Sequence, residues 1–174
     1  MKLENEFAIN DASPSGSNVT VCVKHPQELS QKERELWAQF RASNPALYSP
    51  YFHLDYTDLV ASLRDDVQVV VVYGGDDALA FLPFQGRRVA RPVGAPMTDY
   101  HGFIKAPETQ ILTANILQQA GIGAYHFSAL VGKHEDISPQ VYTVSAAIDV
   151  SVGAKAWREA QDASYTRHLK NCQK

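Results

Sequence analysis

The run Val67-Gln68-Val69-Val70-Val71-Val72-Tyr73 is followed by Gly74-Gly75-Asp76-Asp77 and then by the apolar stretch Ala78 to Phe84. No other part of the chain narrows the fold as much. β-Branched residues are stiff at χ1 and favour strands over helices. Two adjacent glycines supply the positive φ that a tight hairpin turn needs. The two runs are therefore expected to pair as an antiparallel hairpin. Gln85-Gly86 turns the chain again, so Arg87 to Pro92 is a further strand, and Gly94-Ala95-Pro96 breaks it. Asp99 to Ile104 then reads as its continuation or as a fourth strand. The first run, interrupted by Gln68, is far too short to span a bilayer.

Helices are expected on both sides of this meander. Val19 to Lys24 is a short strand that His25-Pro26 ends. Ser30 and Glu33 have the spacing of a capping box. They open a helix to about Ala42 with Leu29, Leu36, Trp37 and Phe40 near one side, and Asn44-Pro45 stops it. Tyr56, Leu59, Val60 and Leu63 mark a second, shorter helix. Pro107-Glu108 is expected to open a third, with Ile111, Ala114, Ile116, Leu117 and Ala120 as its apolar positions and Gly121 and Gly123 at its end. Ala124 to Val131 reads as a strand, Lys133 to Pro139 as a polar connection and Gln140 to Val150 as another strand. Ala154 to Ala160 and Tyr165 to Asn171 read as helical pieces. The order is β-α-α-β-β-β-α-β-β-α. It predicts an α/β fold whose sheet has mixed strand directions, not a doubly wound parallel sheet.

Of the 174 residues 45% are hydrophobic and 20% charged, which is enough apolar surface for one packed domain and excludes a disordered chain. Residues 1–17 read as a flexible lead-in and 18–174 as one lobe. The polar start carries Glu4, Glu6 and Asp11 and lacks the pattern of a signal peptide, so a cytoplasmic protein is expected. A net charge of -3 gives no global basic field for nucleic acid. The two cysteines, Cys22 and Cys172, make no disulfide framework, and Cys22 in its apolar run is expected to be buried. Neither has a nearby partner at metal-ligand spacing, and no metal site is expected.

Four stretches bear on chemistry. Pro96-Met97-Thr98-Asp99-Tyr100-His101-Gly102 sets a carboxylate, a phenol and an imidazole side by side. In an extended backbone Asp99 and His101 face one way and Tyr100 the other. Asp99 would then orient His101 as a general base, or bond nearby amides in a polar turn. Arg91-Pro92-Val93-Gly94-Ala95-Pro96 has an outward likeness to the phosphate loop of acyl-CoA enzymes, but Pro96 has no N–H and no helix is expected after it. Arg87, Arg88 and Arg91 form either an anion patch or a solvated sheet edge. The aromatics Trp37, Phe40, Tyr48, Tyr51, Phe52 and Tyr56 either pack the core or line a groove. No Gly-x-Ser-x-Gly or His-Glu-x-x-His motif is present.

Several short motifs in this order carry a resemblance. Phe40-Arg41-Ala42-Ser43-Asn44-Pro45 leads into Ser49-Pro50-Tyr51-Phe52, and Ala80-Phe81-Leu82-Pro83-Phe84 follows. Gly94-Ala95-Pro96-Met97-Thr98-Asp99-Tyr100-His101-Gly102 comes next, and then Trp157 with Ser164-Tyr165-Thr166-Arg167-His168-Leu169-Lys170. Together they resemble the N-terminal half of CelD-like acyltransferases of the GNAT superfamily, and more remotely the FemAB group. The resemblance spans about residues 19–172. It implies a GNAT-like lobe of an acyl-CoA-dependent N-acyltransferase, acting on an amine or hydroxyl of a cell-envelope or polysaccharide precursor. Related proteins have two such halves and bind acetyl-CoA mainly through the second, so this chain alone is expected not to hold the cofactor. Asp99, Tyr100 and Gly102, with His101 beside them, would shape the acceptor side of the cleft, and the catalytic base is left unassigned. The competing expectation is a non-catalytic interaction domain derived from such a lobe, self-associating through an exposed face.

Overall fold

A computed structural model describes residues 19–132, 134, 136–137, 151 and 153–160. The chain divides into two compact units, Met1–Gln140 and Val141–Lys174. The first unit contains a six-stranded mixed sheet. Strand β1 is Val19–Lys24, and helix α1 is Gln31–Ser43. Helix α2 is Leu54–Ala61, followed by β2 (Val67–Gly74), β3 (Asp77–Gly86) and β4 (Val89–Arg91). The two-residue strand β5 (Ile104–Lys105), helix α3 (Thr113–Gln119) and β6 (Ala124–Tyr125) complete it. In the second unit α4 spans Ala154–Glu159, within the helical piece expected there. The expected lead-in, Cys172, the strand at 140–150 and the helical piece at 165–171 lie outside the described residues.

The hairpin forms as its glycines require. Gly74 pairs with Asp77 across a two-residue turn, and Gly75 supplies a φ of +66°. The sheet order is β1-β2-β3-β4-β6, with β5 paired to β3. Among the described strands the pairings are antiparallel except β4 with β6, which is parallel, as is the isolated His101–Leu130 bridge. An α/β fold with mixed strand directions is thus present.

The valine run is almost continuous because both faces of β2 are covered. Val69, Val71 and Phe81 pack with Trp37, Leu47, Phe52 and Ile104 on the α1 side. Val70, Val72, Ala80, Leu82 and Phe84 pack with Ile116 and Leu117 of α3 on the other. A register shift beside Val72 and Tyr73 leaves Leu79 unpaired in the ladder. Of the early aromatics, Trp37 and Phe52 are fully buried, and the Trp37 indole N–H donates to the Phe52 carbonyl at 2.9 Å. Cys22 is half-buried with a free thiol.

The Ser30 cap forms as expected, and Glu33 does more than complete it. The Ser30 amide donates to Glu33 at 2.7 Å, Lys24 Nζ donates at 2.7 Å, and the Tyr73 hydroxyl donates to the same carboxylate. Burial alone would raise the Glu33 carboxyl, but the bonds from Lys24, Tyr73 and Ser30 outweigh it and hold the group down at about 2.

Three expected elements begin or end elsewhere. The third helix starts at Thr113, not at Pro107-Glu108, because the Thr109 amide turns back to the Ala106 carbonyl at 3.1 Å. Strand β4 is limited to three residues, and of Asp99 to Ile104 only Ile104 enters a ladder strand. The strand expected from Ala124 to Val131 is paired only at Ala124–Tyr125 and at a single bridge, Leu130 to His101.

Candidate functional site

The segment from Val93 to Gly102 is a non-repetitive loop held by side chains from three elements. Gln85, buried at the end of β3, accepts from the Gly94 amide at 2.9 Å and donates to the Ala95 carbonyl at 3.3 Å. Tyr56 of α2 bonds Thr98 Oγ1 at 2.9 Å, and Thr98 donates on to the Val93 carbonyl. Tyr51 donates to the Met97 carbonyl at 3.2 Å, and its ring meets Tyr56 edge-on at 5.3 Å between centroids. Gly94 has a φ of +76°. The Ala95–Pro96 bond is cis.

These bonds settle what the loop amides do. The Ala95 amide donates to the Pro92 carbonyl at 3.1 Å and the Met97 amide to the Gly94 carbonyl at 3.0 Å. Gly94 is engaged by Gln85, and Pro96 has no N–H. A pyrophosphate cradle needs several free N–H groups converging on one point. The loop offers none at Gly94, Ala95, Pro96 or Met97. Arg87, Arg88 and Arg91 flank it as exposed side chains.

The motif residues separate as they leave the loop. Asp99 is exposed. Tyr100 is half-buried and packs on the α1-side core. His101 is buried, with its ring edge-on to Tyr125 at 6.3 Å and to Phe127 at 5.9 Å. Both of its ring nitrogens lack a hydrogen-bond partner, so Asp99 does not orient the imidazole. Burial pushes the His101 imidazole down to about 4, which leaves it neutral at pH 7. Tyr125 Oη is likewise buried and unpartnered, and burial raises that phenol. Gly102 allows a close approach, but of the protein to itself. A Cβ there would stand 3.0 Å from the Val131 carbonyl oxygen. The His101 amide donates to Ala129 at 3.2 Å and the Val131 amide to His101 at 2.8 Å.

A second polar cluster was not legible as one in the sequence. Asp136 accepts from the Thr113 and Ala114 amides at 2.9 and 2.6 Å, which satisfies the first N–H groups of α3. His134 Nδ1 lies 2.7 Å from Thr113 Oγ1, and its Nε2 lies 3.2 Å from the Val131 carbonyl. Burial lowers the His134 imidazole, opposed by its bond to Val131 and by Asp136. Among the described residues no three His, Cys, Asp or Glu side chains gather to hold a metal ion. No helix among them is long and apolar enough to cross a membrane.

Compared with protein-family models, curated proteins and solved structures, the chain finds no match.

Proposed function

We propose that this chain is a GNAT-like lobe of an acyl-CoA-dependent N-acyltransferase, acting on an amine or hydroxyl of a cell-envelope or polysaccharide precursor. The observation that carries the proposal is the run of elements through the first unit. Strand, two helices, an antiparallel meander, the short β5 and then a helix that returns to a strand parallel to β4 make a mixed α/β sheet compatible with such a lobe. The pinned loop from Gly94 to Gly102 supplies a rigid wall suited to an acceptor, with Asp99 as its exposed polar group. Its engaged amides mean that this particular loop is not the donor's pyrophosphate cradle.

In the reaction a base takes a proton from the acceptor as its lone pair attacks the thioester carbonyl. Hydrogen-bond donors hold the oxyanion, and collapse breaks the C–S bond to release the thiol. The part of this chain in that sequence is to position the acceptor. Calorimetry with acetyl-CoA tests the assignment. The expected result is binding by a polypeptide that carries this lobe with a second α/β lobe, and none by this lobe alone. Absence of binding in both overturns it.

An interaction domain is the second reading. It is favoured by large apolar side chains in solvent: Tyr48 is 69% exposed, Leu59 60%, Leu63 79% and Met97 77%. It predicts self-association, and a clean monomer in sedimentation at high concentration counts against it.

A further inference from the structure

Two neighbouring buried rings carry three polar atoms that have no hydrogen-bond partner. They are Nδ1 and Nε2 of His101 and Oη of Tyr125. Both residues are more than nine-tenths buried, at 5% and 6% exposure. Their rings and that of Phe127 touch one another in a triangle, with centroids 5.8 to 6.3 Å apart. Buried polar groups are almost always paired, and leaving three unpaired is costly. A phenylalanine at either position would fill similar space without that cost. The cost is intelligible where these atoms meet a partner in another state of the protein.

The surroundings restrict what that partner is. Among the described residues burial alone shifts the two rings, and none of those residues sets a balancing charge beside either. A neutral imidazole presents one donor and one acceptor, and a phenol presents both. We propose that His101 and Tyr125 form a binding site for an uncharged group that both donates and accepts hydrogen bonds, of the secondary-amide class.

Entry requires movement, because the three atoms are shut off from solvent. The strand pairing that joins His101 to the facing segment is one isolated bridge, to Leu130, and not a ladder. Gly132, just beyond it, has a φ of +104°. The movement assigned to this site is a parting of the segment around Leu130 from His101. The inference concerns the buried side of the motif and needs no acyl donor, so failure of the acetyl-CoA experiment leaves it standing.

The test is NMR of the His101 ring nitrogens during titration with N-methylacetamide. Sodium acetate and methylammonium chloride serve as charged controls. The expected result is a saturable shift with the amide alone, weakened about tenfold in Tyr125→Phe by loss of one hydrogen bond. Absence of a saturable shift, an equal response to either ion, or unchanged affinity in Tyr125→Phe overturns the proposal. A long-lived water contacting the ring in the unliganded protein also overturns it, since the atoms then have their partner. Should Tyr125→Phe fail to fold, contacts between the amide methyl groups and the Phe127 ring decide. Their presence supports the site, and their absence overturns it.

Discussion

At Gly94 a methyl group would lie 1.9 Å from Tyr56 Oη and 2.9 Å from Thr98 Oγ1, on a backbone with φ of +76°. The missing Cβ is what lets α2 hold the loop through Tyr56. Gly94→Ala is expected to destabilise the fold by roughly 3 kcal/mol, the sum of backbone strain and a displaced tyrosine. Tyr56→Phe removes the clashing oxygen, so the double variant should lose less than the two single losses added. Denaturant unfolding of the four proteins measures this coupling, and strict additivity would refute the contact.

Acid stability divides in the same way among individual side chains. The His101 imidazole is held below its ordinary 6.5, at about 4, so between these values the unfolded chain binds more protons. Stability therefore falls as pH drops through that window. The lowered His134 acts in the same direction. Glu33 is held at about 2 against an ordinary 4.5, so its contribution is complete above 4.5 and is lost as pH falls toward 2. His101→Phe should flatten part of the upper step, and Glu33→Gln should reduce the lower one, to which Asp66, held down by Arg64, also contributes. Melting temperatures recorded from pH 7 down to pH 2 (roughly the span of both windows) check both assignments.

At the scale of elements, α3 depends on a residue outside its own sequence neighbourhood. Its first amides are satisfied by Asp136, 22 and 23 residues further along the chain. Asp136→Ala should cost about 1–2 kcal/mol, the range of a lost helix cap. The same change should speed hydrogen exchange at Thr113 and Ala114 more than at the Val70 amide in the sheet. Equal protection in both proteins would mean that the carboxylate does not cap the helix. This dependence also explains what could be read in advance. The Ser30–Glu33 box is local, four residues in a row, so α1 could be placed from sequence to within a residue or so. The start of α3 could not, because Pro107-Glu108 imitates a helix opening and the true cap lies in a loop without periodicity. The candidate site follows the same division. Gly94 to Gly102 stood out by composition, whereas Gln85, Tyr56 and Tyr125 reach the motif from other elements and carry no local mark.

For the molecule as a whole, the central layer is defined by β2, whose successive side chains serve two different cores. An amphipathic strand would show alternating apolar and polar residues, and the run Val69-Val70-Val71-Val72 does not. Val69 and Val71 meet the α1-side cluster, and Val70 and Val72 meet the α3-side cluster, all at 0% exposure. A sheet with one wet face would tolerate a hydroxyl at every second position. A sheet covered on both faces tolerates it at neither, because Val→Thr keeps the shape and buries a group that must find a partner. Val70→Thr and Val71→Thr are therefore each expected to cost about 1–3 kcal/mol, with neither face spared. Urea unfolding of the two variants decides the point. If one substitution were neutral, its face of β2 would be open to water, and the helix assigned to that face would not be packed on the sheet.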